Sequence, residues 1–151
     1  MKKFLKGFLY AGHGVVQCLY ERNFRFHLCA AGFVIFFAAG FYELSRAEWA
    51  VLVLTIGAVL TAEAVNTALE RLCDRVTTEI DEHVRSCKDI AAGAVLLTAL
   101  AAVGVGIALF WDTERFAAIW EFYSGDVWRA VSLLAAVLGA GAVVFLPERK
   151  G

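Results

Sequence analysis

Glu63, Asn66 and Glu70 stand at offsets 0, +3 and +7 in a run of otherwise apolar residues. At about 100° per residue those offsets fall within roughly 60° of one another on an α-helix, so two carboxyls and an amide project as one stripe. Asp74 continues the same line. The run, 49–73, is long and apolar enough to cross a bilayer, where an ionised carboxyl costs about 2.5 kcal/mol or more. Acids in that position mark a functional site by default, through proton transfer or the binding of a hard cation. The competing reading is structural: acids paired with Arg71 or Arg75 at the helix end.

Elements able to position such a stripe follow from composition. The 151 residues are 60% hydrophobic and 19% charged, with a mean hydropathy of +0.67. Soluble domains are about 45–50% apolar and about 25% charged, so this is the composition of an all-α integral membrane protein. Lys2, Lys3 and Lys6 introduce a segment in which Phe4, Leu5, Phe8, Leu9, Val16 and Leu19 share one side while Lys6, His13 and Gln17 take the other. That pattern predicts an amphipathic helix lying in the membrane surface. Gly12, His13, Gly14 and Gln17, followed by Glu21 and Arg22, interrupt any continuous signal-peptide core. Transmembrane helices are predicted over 28–42, extended a turn by Phe24, Phe26 and His27, then over 49–73 and 90–111. A fourth covers 130–146 and stops at Pro147. Glycines 104, 106, 139 and 141 in the last two spans are tolerable in lipid and allow close helix approach.

Basic residues set the orientation. Lys2, Lys3, Lys6, Arg22, Arg25, Arg71, Arg75, Arg85, Lys88, Arg149 and Lys150 fall on one side, against Arg46, Arg115 and Arg129 on the other. Eleven against three places both termini and the 74–89 loop in the cytoplasm. Trp49, Trp111, Trp120 and Trp128 form an aromatic belt at the opposite interface. Glu63 then lies about 21 Å of helix beyond Trp49, just inside the hydrocarbon, and Glu70 about 10 Å further, at the cytoplasmic boundary.

Three clusters meet that boundary: Glu21 to Arg25 before the first span, Glu63 to Glu70 in the second, and Lys88-Asp89 at the start of the third. Together they offer carboxylates for Mg²⁺, a lysine for phosphate charge and a separate, deeper carboxylate. Other chemistries lack their residues. Cys18, Cys29, Cys73 and Cys87 form no CxxC pair, and His13, His27 and His83 share no metal-ligand spacing. Neither a P-loop nor a protein-kinase signature is present, and a net charge of −1 gives no footprint for nucleic acid. Taken singly, Lys88 and Asp89 read as a snorkelling lysine and a helix N-terminal acid, Arg22 and Arg25 as membrane anchors, and His27 as an interfacial residue.

The strings Glu21-Arg22-Asn23-Phe24-Arg25-Phe26-His27-Leu28, Glu63-Ala-Val-Asn66-Thr-Ala-Leu-Glu70-Arg-Leu-Cys-Asp74 and Lys88-Asp89-Ile-Ala-Ala-Gly93-Ala-Val resemble those of the prokaryotic diacylglycerol kinase and undecaprenol kinase family. The resemblance covers residues 4–111 and rests on the order and spacing of the three strings. It implies an ATP- and Mg²⁺-dependent lipid kinase, a homotrimer with an N-terminal surface helix and three core spans per subunit. Carried over by position, Glu63 is the general base, Glu21 and Glu70 hold the metal, and Lys88 and Asp89 contact nucleotide. Asn66 orients within the same site. Glu79 matches a nucleotide-contacting loop, whereas Ile80 and Asp81 align there by position alone. The string ERNFRFH resembles the undecaprenol kinase branch, so the expected acceptor is a polyprenol, with diacylglycerol as the alternative. From the residues alone, a small ion or proton carrier using Glu63 and Glu70 remains the reading of a different class. The expected division is a kinase core, 1–111, followed by an extracytoplasmic loop and a peripheral or oligomer-shielding fourth helix, 112–151.

Overall fold

The computed structural model describes residues 2–76 and 81–148. Within them the elements are all helical: α1 (Lys2–Cys18), α2 (Arg22–Phe41), α3 (Arg46–Val76), α4 (Glu82–Phe110), α5 (Thr113–Ser124) and α6 (Val127–Val144). Helices α2, α3, α4 and α6 are long and apolar enough to cross a membrane. The chain is an all-α membrane protein with four spans. Helix α1 keeps Phe4, Leu5, Phe8 and Leu9 exposed, and meets the bundle only near its end, where Cys18 is buried. An apolar stripe that no protein covers suits the bilayer surface.

The helix limits differ from the sequence reading where polar residues start them early. Ser45 and Glu48 form a capping box, the Ser45 N–H donating to Glu48 Oε2 at 2.7 Å and the Glu48 N–H to Ser45 Oγ at 3.3 Å. Helix α3 therefore begins at Arg46, before Trp49, and runs on to Val76. Asp81 caps α4, accepting from the His83 and Val84 N–H groups, which moves that start from residue 90 back to Glu82. Asp126 caps α6 in the same way, so that span covers Val127–Val144.

The segment 112–129, expected as a polar loop, is largely the helix α5. Asp112 caps it by accepting from the Glu114 and Arg115 N–H groups. Arg115, Ile119 and Tyr123, each one turn from the next, are its half-buried residues. Phe37 and Phe41 of α2 meet Phe122 and Tyr123 of α5 through ring centroids 5.3–6.2 Å apart, and the Arg129 guanidinium lies 4.1 Å from the Phe122 ring centre. Trp111, Trp120 and Trp128 point outward at this end, as a belt requires.

Helices α3 and α4 form the most extensive pairing; α2 packs on α3, α6 on α2, and α5 on both α2 and α6. With 31 and 29 residues, α3 and α4 are about 46 and 43 Å long, well beyond the ~30 Å of hydrocarbon. Tyr42 Oη donates to the Phe110 carbonyl at 3.0 Å and aligns α2 with α4 at the end far from the acids. The excess length therefore emerges at the end carrying Glu70, Asp74 and Lys88. Large side chains such as Leu54, Leu97 and Leu138 face outward, while the interior uses Ala38, Leu52, Val59 and Ala91. Lipid solvates the former as well as protein would, so contacts between helices fall to small and polar residues. Glycines 104, 106, 139 and 141 do not mark close approach within the chain: a Cβ at each would meet nothing within 4 Å.

Arg25 ties the fourth span to the first. It is 6% exposed. Its Nη1 donates to the Tyr20 carbonyl at 2.8 Å and the Leu19 carbonyl at 3.2 Å; its Nη2 donates to the carbonyls of Leu146 at 2.6 Å and Val144 at 3.0 Å. The last two lie at the negative end of the α6 dipole, where free carbonyls favour a cation. The Arg22 N–H reaches Glu148 Oε1 at 3.3 Å beside them. Arg25 is thus a bolt between elements, a role that its reading as a membrane anchor leaves out. Arg25→Leu should lower unfolding stability in detergent micelles by about 3 kcal/mol, since charge-assisted bonds to several carbonyls vanish together. Glu148→Ala, which removes one exposed contact, should shift the same unfolding curve by less than about 0.5 kcal/mol.

Candidate active site

Leu52, Ile56, Val59, Glu63, Asn66 and Glu70 repeat at spacings of four and three along α3, which makes one stripe of that helix. Its lower part is apolar. Leu52, Ile56 and Val59, with Ala30, Ala31 and Val34 of α2 and Ala102 and Gly106 of α4, line a groove of about 180 Å³ that has His27 among its walls. Its upper part carries the acids. Glu63 is 3% and Asn66 6% exposed, and Glu70 is half-buried toward the helix end.

His27 is the residue that sequence reasoning missed. Its Nδ1 lies 3.1 Å from Glu63 Oε1 and 3.0 Å from the carbonyl oxygen of Asn23, one turn earlier in α2. Among the described residues no other side chain makes a polar contact with the Glu63 carboxylate. The available signal was depth: His27 opens the first span as Glu63 closes the apolar part of the second, so antiparallel helices set them at one height.

Asn66 Nδ2 donates to Glu70 Oε1 at 2.9 Å. Since a carboxylate only accepts, the amide nitrogen must face Glu70, and Asn66 Oδ1 is left buried with no partner among the described residues. A buried oxygen without a donor is a place for a cation or an incoming N–H. With the Glu70 carboxylate beside it, this is a hard-oxygen donor set, which fits Mg²⁺ rather than a softer metal. Asn66 also lines a second groove, of about 570 Å³, between α3 and α4.

The remaining site residues are held in separate pairs. Glu21 Oε1 accepts from Arg71 Nη2 at 2.7 Å and Nε at 3.2 Å, while Arg71 Nη1 donates to Gln17 Oε1 at 3.0 Å. Arg71 thus fastens the ends of α1 and α3 around Glu21, and leaves Glu63 and Glu70 unpaired with it. Cys18 adjoins this knot; burial pushes its thiol pKa up, Arg71 draws it part of the way back, and Glu21 adds a smaller upward push. Lys88 Nζ donates to Asp74 Oδ1 across the α3–α4 pair. Asp89 is exposed, with Arg85 Nε 3.9 Å from its carboxylate. Asp81 serves as the α4 cap, and Glu79 and Ile80 lie outside the described residues. One chain therefore gathers His27, Glu63, Asn66 and Glu70, but keeps Glu21, Lys88 and Asp89 in their own ion pairs. No group of three or more His, Cys, Asp or Glu among the described residues is arranged as a metal site.

Comparisons with known proteins give the family. The family model for prokaryotic diacylglycerol kinase matches residues 9–110, from within α1 to the last residue of α4. The chain is 38% identical over 112 residues to an undecaprenol kinase of Bacillus subtilis, a match covering 73% of this chain and 89% of that one. It is 43% identical over 104 residues to a diacylglycerol kinase of Synechocystis, covering 68% of this chain and 59% of the relative. No solved structure matches. Glu63 and the apolar groove that His27 lines lie inside the matched region, and the chain belongs to the prokaryotic diacylglycerol kinase family of membrane lipid kinases.

Proposed function

We propose that the chain transfers the γ-phosphate of ATP to the hydroxyl of undecaprenol, or of a closely similar polyprenol, at the cytoplasmic face of the bacterial cytoplasmic membrane. The observation that carries this reading is a buried Glu63 held against His27, which itself lines a groove with apolar walls. Such a groove accepts a hydrocarbon chain, and the carboxylate then meets the hydroxyl without the lipid leaving the bilayer. The choice of polyprenol is supported by the likeness to an undecaprenol kinase, 89% of whose length is covered. Diacylglycerol is the second reading, supported by the Synechocystis relative.

In this mechanism Glu63 takes the proton of the acceptor hydroxyl as its oxygen bonds to the γ-phosphorus, and the bond from that phosphorus to the β,γ-bridging oxygen breaks, releasing ADP. Glu70, Glu21 and the orphaned Asn66 Oδ1 would hold Mg²⁺, which supplies neutralisation of phosphate charge when bound. Lys88 offsets further charge on the nucleotide, with Asp89, Glu79 and Asp81 as additional contacts. Two existing pairs must exchange partners for this: Lys88 gives up Asp74, and Glu21 gives up Arg71. Both are exposed or half-exposed, where ion pairs are worth about 1 kcal/mol or less, so phosphate and cation can displace them readily. Since one chain keeps these groups apart, we place the working site in a homotrimer, completed between subunits.

Purified full-length protein offered undecaprenol and diacylglycerol with labelled ATP should phosphorylate undecaprenol at least about tenfold faster in kcat/KM. Faster turnover of diacylglycerol would reverse the choice of acceptor. In the same assay Glu63→Gln should lower kcat by about 10²–10⁴, the usual worth of a general base, with an unchanged unfolding curve. Near-normal turnover by that variant would remove Glu63 from the role of base.

The orientation has its own test. Cys87 is exposed at the site end of α4, whereas Cys18 and Cys73 are buried. A membrane-impermeant maleimide should modify Cys87 in inside-out vesicles and leave it unmodified in intact cells, as read by the mass of the purified chain. Labelling from outside would place the site on the opposite face.

A further inference from the structure

His27 Nδ1 stands between two acceptors, the Asn23 carbonyl oxygen at 3.0 Å and the Glu63 carboxylate at 3.1 Å. A bare nitrogen lone pair facing both would be repelled by each, so Nδ1 carries the ring proton. The Asn23 carbonyl, one turn back in the same helix, anchors the imidazole from α2, and the same N–H is shared with the carboxylate on α3. Glu63 has no other polar partner among the described residues, so this N–H is what fixes the carboxylate's rotation. Glu63 Oε1 is the oxygen at 3.1 Å. The other oxygen makes no polar contact with a side chain among the described residues.

We propose that His27 is a positioning residue for phosphoryl transfer: it locks Glu63 through Nδ1–H and presents the opposite carboxylate oxygen to the lipid alcohol. The proposal rests on the reading of Glu63 as the base. Its leverage is geometric, since misplacing a reacting group by about 1 Å can cost on the order of 10²-fold in rate. The imidazole's donor prevents the acid from rotating against hydrocarbon.

The test uses amide mimicry in the full-length protein with undecaprenol as acceptor. An asparagine amide nitrogen occupies nearly the place of Nδ1, whereas a glutamine amide nitrogen occupies that of Nε2. His27→Leu should lower kcat by about 10–100-fold while the KM for ATP stays within about twofold, because nucleotide contacts lie on other residues. His27→Asn should recover to within about fivefold of the parent, and His27→Gln should not. In a Glu63→Gln background, adding His27→Leu should cost less than about twofold more, since two residues acting as one unit do not add. A kcat for His27→Leu within twofold of the parent would overturn the proposal, as would a His27→Asn variant no better than His27→Leu. A second readout is independent of turnover and of the leucine variant's folding. In ¹⁵N-histidine-labelled parent protein, the His27 ring should show a protonated Nδ1 whose signal shifts in Glu63→Gln; a ring protonated at Nε2 alone would also overturn it. If Glu63→Gln itself remains active, the reading of Glu63 falls first, and that outcome is distinct from loss of the His27 role alone.

Discussion

A buried carboxylate that lipid cannot solvate sets the terms for the helices around it. Glu63 sits in α3 on the stripe whose lower positions, Leu52 and Val59, are among the helix's buried apolar residues. Left against hydrocarbon it would cost a few kcal/mol and have no hydrogen-bond partner. The imidazole of His27 meets that demand only if α2 packs at one height and one rotation against α3. The register of this pair follows from a polar contact rather than from the volume of a core. The apolar groove below is a consequence of the same packing, because the residues that bring His27 to Glu63 also bring Ala30, Ala31 and Val34 opposite the lower stripe.

The same logic explains why polar ties gather at one end. Helices in a bilayer gain little by hiding leucine from lipid, so what holds them in register is small-residue packing and satisfied polar groups. Arg25 with the α6 carbonyls, Arg71 with Glu21 and Gln17, and Lys88 with Asp74 all lie at the end where α3 and α4 outrun the hydrocarbon. The opposite end is closed by rings, Phe37, Phe41, Phe122 and Tyr123, and by one phenol hydroxyl. The ion pairs and carbonyl bonds that join the long spans to one another and to α1 thus lie at the Glu70 end, while at the other end α2 meets α5 through rings.

The stripe of Glu63, Asn66 and Glu70, the four spans and the surface helix were legible because each is a local pattern: a period of 3.6, an apolar length, a basic flank. Glu63 and Asn66 are indeed buried and Glu70 is nearer the end of α3, as their order along the helix requires. The partner of Glu63 was not legible, because His27 is distant in sequence and a histidine at a membrane boundary has many ordinary explanations. The positive charge of Arg25 is legible as a membrane flank, which says nothing of the carbonyls it binds more than a hundred residues later. Helix α5 is harder to read, because Asp112 is its cap and its inner side, Arg115, Ile119 and Tyr123, is only half-buried and includes a charge. Glu79, matched from the family's pattern, lies outside the described residues.

The fourth span can now be argued from contact rather than from its position outside the family's matched region, which ends at residue 110. Helix α6 lies on α2, and its terminal carbonyls close on Arg25, four residues from Glu21. It therefore braces the very turn that leads into the site, a closer connection than a shielding helix or a tail anchor requires. It also occupies a face of α2 along the length of the contact. The α3–α4 groove remains open on the other side, lined by Ala58, Ala62, Ala91 and Ala94 with Asn66 at its wall. In lipid, alanine-rich surfaces let helices approach closely enough for dispersion contacts to hold them. A chain with a fourth helix thus retains an open small-residue face beside its own buried amide, while the bolt through Arg25 keeps the added helix to the α2 side.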